Sequence, residues 1–510
     1  MSDVLQTEGL KTIYLRHQDA VLLDNGEIHT SDLDSQSIPE IMKEYKEHRN
    51  LIPELNGRRP KVVKKSVSEV AAYIDKTISN KNNFAFVDKA KISKIAEAAR
   101  DILQKSAMLG VSDIHFEIYR DRTEINVRVD GRITPLQKQI PEKEFGMLIC
   151  GYMFNEATQK KHDFSENKAN DGRLEIELNT PDGNRLCKWR LAYIYADGGG
   201  QLTLRWLNKD PNIPEITDLG WEQGHYDTFI DFTESSNGVC LISGQTGSGK
   251  STTLAAALNS MKGKGRAINT IEEPVEFDIG VIQTSISNTA DSDTFVDVAK
   301  YLLRHDPDVE MHGEVREEKG AMSVCRKGET GQLMFATLHT SSCIGIAHTL
   351  SEQMGVPVSL ISAPNLMRLW IYQALVRKVC PKCSLTKEEA LNVLSARDKG
   401  RLEIWMETQK GKNLDNVRFK NPEGCSHCIK GEKGRTSVIE MLVLDDEDRR
   451  YILNKDYLGW AQALKAKGFK DIISHANLKI LRGEIDVFTA SERVLGLMPQ
   501  ETRDIYNSFF

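Results

Sequence analysis

A glycine-rich segment that ends in lysine and serine carries the clearest chemical signal in the sequence. Residues 244–251 read Gly-Gln-Thr-Gly-Ser-Gly-Lys-Ser and match the phosphate-loop pattern GxxxxGK[ST] at every fixed position. Glycines let the backbone wrap closely around phosphate with its N–H groups turned inward, and a helix that begins there favours an anion. The pattern therefore predicts a binding site for ATP and Mg²⁺, with Ser251 as the magnesium ligand. The predicted ligands of the nucleotide are Gly244, Gln245, Thr246, Gly247, Ser248, Gly249, Lys250, Ser251 and Thr252.

Acidic residues follow the phosphate loop at the ends of two predicted strands. An ATPase needs one carboxylate to hold Mg²⁺, directly or through water, and another to orient the attacking water. Glu272 and Glu273 follow the first apolar run, and Glu314 ends the second. Each alone is most simply a solvated strand end, but two in order after a phosphate loop favour catalysis. His339 ends a third apolar run and is interpreted either as a sensor of the γ-phosphate or a neighbouring subunit, or as a histidine at the sheet edge.

Two pairs of cysteines have the spacing of a metal site. Cys380 and Cys383 form one CxxC motif, and Cys425 and Cys428 form a second, after an insert longer than is usual in zinc ribbons. Four thiolates close a tetrahedral shell, so the spacing predicts structural Zn²⁺. Free or redox-active thiols are the alternative, and His427 is an alternative ligand.

Strands and helices must alternate to bring these residues around one site. The apolar segments 239–243, 267–271, 308–314 and 332–338 are typical of strands, and 252–258 is typical of a helix. This alternation predicts an α/β fold with a parallel sheet of the RecA-like type.

The residues before the phosphate loop predict smaller parts. Short apolar runs in 1–56 indicate a β-containing module, and the basic segment 57–65 is predicted to be a linker rather than a lipid- or partner-binding patch. A helix at 89–110 and alternating segments up to residue 207 indicate an α+β domain. The predicted domains are 1–65 (module and linker), 66–207 (α+β domain), 208–214 (hinge) and 215–510 (ATPase domain), with a tetracysteine module at 380–428.

Composition and charge narrow the possible partners. The chain has 67 Lys and Arg against 73 Asp and Glu, a net charge of −6, so its overall charge does not favour nucleic acid. The N-terminus lacks the apolar core of a signal peptide. The longest apolar stretch, 356–376, contains two prolines and an arginine and is predicted to be a buried helix rather than a membrane span. The sequence therefore predicts a cytoplasmic protein that reaches a membrane only through a partner.

Taken in order, these motifs resemble those of the secretion ATPase superfamily that drives type II secretion and type IV pilus assembly. The segment 270–277 resembles its acidic box, 303–316 its modified second nucleotide motif, and 337–340 its histidine box. Segments that resemble its N-terminal domain, which packs on the nucleotide site of the next subunit, lie at 112–117, 128–131 and 171–173. The resemblance spans about residues 90–500.

The resemblance implies a role for each candidate residue. Glu314 is implied to position or activate water with Glu272 as its partner, and His339 to monitor the γ-phosphate. The N-terminal domain is implied to be PAS-like and to supply arginines to the nucleotide, because guanidinium groups bind phosphate through charge-assisted hydrogen bonds. These arginines are Arg128, Arg190 and Arg205. Arg304 and Arg316, in the predicted ATPase domain, are weaker candidates, with a structural role as the alternative.

The resemblance also implies the working assembly. It implies a homo-hexamer, peripheral at the inner membrane, that uses ATP, Mg²⁺ and Zn²⁺ and drives assembly of a type IV pilus through an inner-membrane platform protein. The paired cysteines and the N-terminal extension favour assembly over retraction. The alternatives are a type II secretion ATPase, a nucleic-acid translocase with a RecA-like core, and a regulatory subunit that binds nucleotide without hydrolysis.

Several residues depart from the family pattern. Glu273 stands where the acidic box usually has aspartate, and Glu317 where aspartate usually follows the Val-Arg pair. His305 stands where glutamine is usual. Glu310 and His312 lie in a strand that is apolar in the family. These departures predict a divergent branch of the family, in which the acidic box and the second strand differ in detail from the family pattern.

Overall fold

The computed structural model divides the chain into two units, Met1–Arg100 and Asp101–Phe510. The structure describes all residues except 1–3, 6, 18, 48–58, 67–68, 71–72, 75–88, 138–140, 161, 208–211, 287–293, 500–501, 508 and 510. Most of the predicted hinge, 208–214, therefore lies outside the described residues.

The first unit is a small α/β module. Its sheet has the order β1-β2-β3, with β1 antiparallel and β3 parallel to β2. The elements are helices Glu8–His17 and Ser37–Glu47 and strands β1 (Ala20–Leu22), β2 (Glu27–Thr30) and β3 (Lys61–Lys64). The predicted β-containing module is confirmed. The linker prediction for 57–65 is wrong at 61–64, because the two β-branched valines of this segment add an edge strand to the sheet.

The second unit begins with an antiparallel sheet of seven strands. Their order is β6-β5-β4-β10-β9-β8-β7. The strands are β4 (Asp113–Ile118), β5 (Thr123–Val129), β6 (Arg132–Pro135), β7 (Gln159–Lys160), β8 (Asn170–Thr180), β9 (Gly183–Ala196) and β10 (Gly199–Trp206), with helix Lys143–Asn155. Helix Lys89–Met108 precedes these strands in the chain. The predicted strands of the α+β domain are confirmed.

The second sheet of this unit carries the phosphate loop. Its order is β13-β12-β14-β15-β11-β16-β17, in which the first six strands are parallel and β17 is antiparallel to β16. The strands are β11 (Gly238–Ser243), β12 (Ile268–Glu272), β13 (Ile282–Ser285), β14 (Val309–His312), β15 (Leu333–Leu338), β16 (Met367–Val379) and β17 (Glu432–Val443). The predicted α/β fold and its parallel strands are confirmed, and β17 is the exception.

Helices cover both faces of this sheet. Side chains of Leu241 and Trp370 join one apolar cluster, whereas their neighbours Ile242 and Ile371 join the cluster on the other face. The helices are Gln223–Thr233, Lys250–Met261, Phe295–Leu302, Glu318–Glu329, Cys343–His348, Val358–Ile361, Lys387–Val393, Ala396–Thr408, Asp446–Asn454, Tyr457–Lys467, Ile472–Leu481, Val487–Ser491 and Thr502–Asn507, with a 3-10 turn at Ile216–Leu219 and a π turn at Thr349–Gln353.

The prediction of a buried helix over 356–376 is wrong. Only Val358–Ile361 is helical, and the remainder enters β16. A strand that is buried on both faces reads as a continuous apolar run, so period alone does not distinguish it from a buried helix. Across the described part of the chain, none of the helices combines the length and apolarity needed to cross a bilayer.

Candidate functional site

The phosphate loop joins β11 to the helix Lys250–Met261. Gly244, Gly247 and Gly249 have φ values of 153°, 76° and 87°, which favour glycine and let the loop curl over the helix N-terminus. The Lys250 ammonium donates to the carbonyl oxygen of Gly244 at 2.8 Å. Burial lowers the pKa of Lys250 to about 8, although Glu314 and Glu276 oppose the shift. The loop therefore presents a cation and inward-facing amides to one point.

The ends of neighbouring parallel strands bring the predicted catalytic residues to this loop. His339 follows β15, and its Nδ1 lies 3.0 Å from the carbonyl oxygen of Gly244 while its Nε2 lies 3.2 Å from Glu314 Oε1. Both neighbours are acceptors, so the ring donates to both only when it is protonated. Arg316 donates to Glu314 Oε2 at 2.8 Å. Each oxygen of Glu314 thus has one partner within the protein.

Charge keeps Glu314 ionised. Burial alone raises the pKa of a carboxyl group, but Arg316, His339 and Lys250 lower the pKa of Glu314 on balance. Arg316 also donates to Glu273 at 3.1 Å. The arginine treated as a weaker candidate in the sequence therefore bridges the acidic box and the glutamate after β14.

Glu272 has a different environment. Its Oε1 accepts hydrogen bonds from the Thr270 hydroxyl at 2.6 Å and from the Gln283 amide at 2.9 Å. Burial raises the pKa of Glu272, and this outweighs the two hydrogen bonds. The two predicted catalytic carboxylates are therefore tuned in opposite directions, which suits one to accept a proton and the other to assist through hydrogen bonds.

The three arginines predicted from the N-terminal domain form one row across its sheet. The register pairs Asp113 with Arg128 and Arg205, and it pairs Arg205 with Arg190. Paired residues point to the same face of a sheet, so these side chains share one side. Arg205 Nε lies 2.9 Å from Asp113 Oδ1, and Arg128 Nε lies 3.6 Å from Asp113 Oδ2. Arg190 lies 3.8 Å from Asp171.

A single cleft of about 770 Å³ joins the phosphate loop to this arginine row. The cleft is also lined by Glu272, Glu314 and His339. Arg304 is exposed and is not among the lining residues. The structure therefore places every predicted nucleotide-binding and catalytic residue along one cleft except Gly244 and the weaker candidate Arg304. Gly244 contacts Lys250 and His339, which do line the cleft.

Sequence reasoning missed several residues that line the cleft. Arg377 lies on β16, Arg435 on β17, and Arg493 after the helix Val487–Ser491. The Arg493 guanidinium lies 3.5 Å from the Gln245 side-chain oxygen. The only sequence signal for these residues was the presence of polar side chains within the apolar run of β16, where Arg377 lies. Arg435 and Arg493 reach the cleft through long-range packing, which no local pattern specifies.

The four cysteines form one cluster. Their ligand atoms all lie within 4.8 Å of one another. The Cys380–Cys425, Cys383–Cys428 and Cys425–Cys428 sulfur pairs are 3.8, 3.6 and 3.6 Å apart. A tetrahedron with zinc–sulfur bonds of about 2.3 Å has sulfur separations of about 3.8 Å, whereas a disulfide requires about 2.05 Å. The spacing fits Zn²⁺, and His427 is exposed and not part of the cluster.

The comparisons with known proteins agree on one protein family. Residues 88–494 match the family described as Type II/IV secretion system protein. The chain is 32% identical over 361 residues to the Type II secretion system ATPase E of Vibrio cholerae, which covers 70% of this chain and 66% of that protein. It is 30% identical over 403 residues to the Type IV pilus assembly ATPase PilB of Thermus thermophilus, which covers 78% of this chain and 42% of that protein.

A solved structure shows the same fold. The ATPase DotB of Legionella pneumophila superposes with a TM-score of 0.54 at 19% identity, over 80% of this chain and 96% of that one. The chain spans about two thirds of the Vibrio protein and less than half of the Thermus protein. It belongs to the type II/IV secretion system protein family and is an ATPase of that family.

Proposed function

We propose that the chain is a motor that hydrolyses ATP in the cleft between its two sheets and converts closure of that cleft into movement. One observation carries the proposal. The phosphate loop, the Glu314–His339 pair and the arginine row of the N-terminal sheet line the same cleft. A nucleotide held there contacts both halves of the unit, so its binding and release change their relative position.

The residues divide the work of hydrolysis. Lys250 and the loop amides bind the β- and γ-phosphates, and the Ser251 hydroxyl would hold Mg²⁺, which would neutralise phosphate charge. Glu272 assists Glu314 through hydrogen bonds. Glu314 is ionised and retains an exposed face on the cleft, so it orients the attacking water and accepts its proton. His339 links Glu314 to the loop and thereby responds to the γ-phosphate.

The arginines act from the other half of the cleft. Arg205 and Arg128 form ion pairs with Asp113, and Arg190 lies in the same row. A nucleotide phosphate also accepts charge-assisted hydrogen bonds from guanidinium groups, so a bound nucleotide competes with Asp113 for these side chains. Exchange of partners therefore couples the nucleotide state to the position of the N-terminal sheet, which we propose is a PAS-like domain moving about a hinge at 208–214.

We further propose that six copies form a ring at the cytoplasmic face of the inner membrane and assemble a type IV pilus through a platform protein. Support comes from the named function of the PilB relative and from the paired cysteines. A type II secretion motor is the second candidate, because the Vibrio relative of higher identity is a secretion ATPase. Deleting the gene separates them, since loss of surface fibres supports the pilus and loss of exported enzymes with fibres intact supports secretion.

The tetracysteine cluster is proposed to hold one structural Zn²⁺ through Cys380, Cys383, Cys425 and Cys428. The backbone N–H of Cys425 points to Cys428 Sγ at 3.2 Å, as expected around a thiolate ligand. Elemental analysis of the purified chain is expected to give one zinc per molecule. Cys383→Ser is expected to lose the metal, whereas the buried, unpaired Cys240→Ser is expected to keep it. Retention of zinc by Cys383→Ser contradicts the assignment.

Hydrolysis and mass measured on the same samples test the motor. We expect Mg²⁺-dependent ATP hydrolysis that follows the hexameric species across a concentration series. The rate is expected to be unaffected by single-stranded or double-stranded DNA. Stimulation by nucleic acid supports a translocase instead, and ATP binding by a monomer without hydrolysis, even with membranes that contain the platform protein, supports a regulatory subunit.

A further inference from the structure

One buried amide touches the phosphate loop from the neighbouring strand. Gln373 lies in β16 and is 1% exposed. β16 runs parallel to β11, and the register pairs Ser243, the last residue of β11, with Tyr372. Gln373 is the next residue along β16, so it lies beside the point where β11 ends and the loop begins.

The Gln373 amide bonds the loop and the first turn of its helix. Its Nε2 donates to the Ser248 carbonyl oxygen at 2.6 Å, and its Oε1 accepts from the Thr253 hydroxyl at 3.0 Å. Ser248 and Thr253 are themselves buried. A Cβ on Gly249 would lie 3.2 Å from this same Nε2, so the loop passes close above the amide.

These contacts bear on how the loop binds phosphate. A phosphate loop works because its N–H groups point inward, and its carbonyl oxygens must then point away from the anion. An outward carbonyl that is buried needs a donor. Gln373 supplies that donor to Ser248, and through Thr253 it fixes the same amide to the helix that Lys250 begins.

We propose that Gln373 is a positioning residue for the phosphate loop, which acts through Ser248 and Thr253 and does not itself touch the nucleotide. The inference rests on the proposed function, in which this loop binds Mg-ATP. It assigns to a polar residue inside an apolar strand the task of keeping the loop in its phosphate-binding form before nucleotide arrives.

The test compares nucleotide affinity with stability in the full chain. Gln373→Glu has the same shape, and its ionised carboxylate still accepts from Thr253 but no longer donates to Ser248. Burial favours the protonated carboxyl, which would still donate, so affinity is compared with the natural chain across a pH series and judged where the carboxylate is ionised. We expect the Kd of a fluorescent ADP with Mg²⁺, and the KM for ATP, to rise roughly tenfold in this variant. Gln373→Leu removes both bonds and is expected to weaken binding at least as much.

Two controls separate positioning from general stability. Gln409 is also buried, donates to the Thr408 hydroxyl at 2.8 Å and accepts from Lys412 at 2.9 Å, far along the chain in the helical insert. Gln409→Leu is expected to lower Tm and leave the Kd unchanged. Thr253→Val is expected to raise the Kd, and Thr253→Ser, which keeps the hydroxyl, is expected to restore it.

The outcomes are distinct. A folded Gln373→Glu variant that binds nucleotide as tightly as the natural chain overturns the inference, as does a Gln409→Leu variant with an equal loss of affinity. If Gln373→Leu does not fold, Gln373→Glu and the Thr253 pair decide. A natural chain that binds no Mg-nucleotide refutes the proposed function itself.

Discussion

Two glutamates four residues apart have opposite surroundings. Glu310 lies inside β14 and is fully buried, whereas the side chain of Glu314, just beyond that strand, is 28% exposed. Glu310 is paired with the buried Lys327 ammonium, and His312 Nε2 lies 3.1 Å from its carboxylate. Burial opposes ionisation of Glu310, but His312 and Lys327 lower its pKa on balance.

The comparison separates a structural charge from a functional one. The partners of Glu310 come from its own strand and from helix Glu318–Glu329, and they enclose it completely. Glu314 is also paired, but Arg316 and His339 leave it a face on the cleft. A carboxylate with a solvent face can meet water and substrate, whereas an enclosed one can only be compensated or left unpaired.

The largest expected effect comes from breaking the enclosed pair. Lys327→Met leaves Glu310 buried without its cation, so the free energy of unfolding is expected to fall by about 3–5 kcal/mol in urea denaturation. ATP hydrolysis per folded molecule is expected to change little. The double variant Glu310→Met/Lys327→Met is expected to recover most of the loss. If Lys327→Met lowers the free energy of unfolding by less than about 1 kcal/mol, Glu310 is not a structural charge of the kind proposed and does not differ from Glu314 in this way.

Removing the partner of the exposed glutamate is expected to affect rate instead. Arg316→Ala removes one hydrogen-bond donor from Glu314 and one from Glu273. Loss of these charge-assisted hydrogen bonds is expected to slow hydrolysis roughly ten- to thirtyfold. The free energy of unfolding is expected to change by less than about 0.5 kcal/mol, because Arg316 is half-exposed. Arg304→Ala, an exposed arginine away from the cleft, is the matched control. An equal rate loss in both variants contradicts the assignment.

The pH dependence of nucleotide affinity tests the charged residues of the cleft. The pKa of Lys250 is lowered to about 8 by burial, and bound phosphate favours its charged form. The nucleotide-bound state therefore holds more protons above pH 8, so affinity falls as pH rises. Between pH 7 and 9 we expect the Kd of Mg-ADP to rise by about tenfold. Calorimetry in two buffers at pH 8.5 is expected to show proton uptake, and its absence excludes titration of this lysine.

Local sequence motifs predicted the residues that surround Glu314 in the cleft. The phosphate loop, Glu314 and His339 each end a strand in a parallel sheet, so chain order alone placed them together. The sequence indicated that Glu310 and His312 are unusual but did not reveal Lys327 as the partner of Glu310. That contact depends on how helix Glu318–Glu329 packs on β14, which no short motif specifies.

Long-range pairing explains the remaining gaps. The row of arginines needs the register of four strands, and the prediction of Arg128, Arg190 and Arg205 came from family resemblance alone. The sequence predicts a helix over 356–376, whereas β16 begins at Met367, so the sequence does not reveal Gln373 as a residue beside the phosphate loop. The spacing of apolar residues predicts which face of a helix or strand is buried, but it does not predict which other elements pack against that face.

Single-turnover hydrolysis by Glu314→Gln tests the central claim most directly. The amide keeps the shape of the side chain and removes the proton acceptor. We expect hydrolysis to fall by about 10²–10⁴-fold, with Mg-ATP affinity within about threefold of the natural chain and Tm unchanged. Hydrolysis at the natural rate by this variant, with ATP bound in the cleft, contradicts the assignment of Glu314 and the contrast with Glu310.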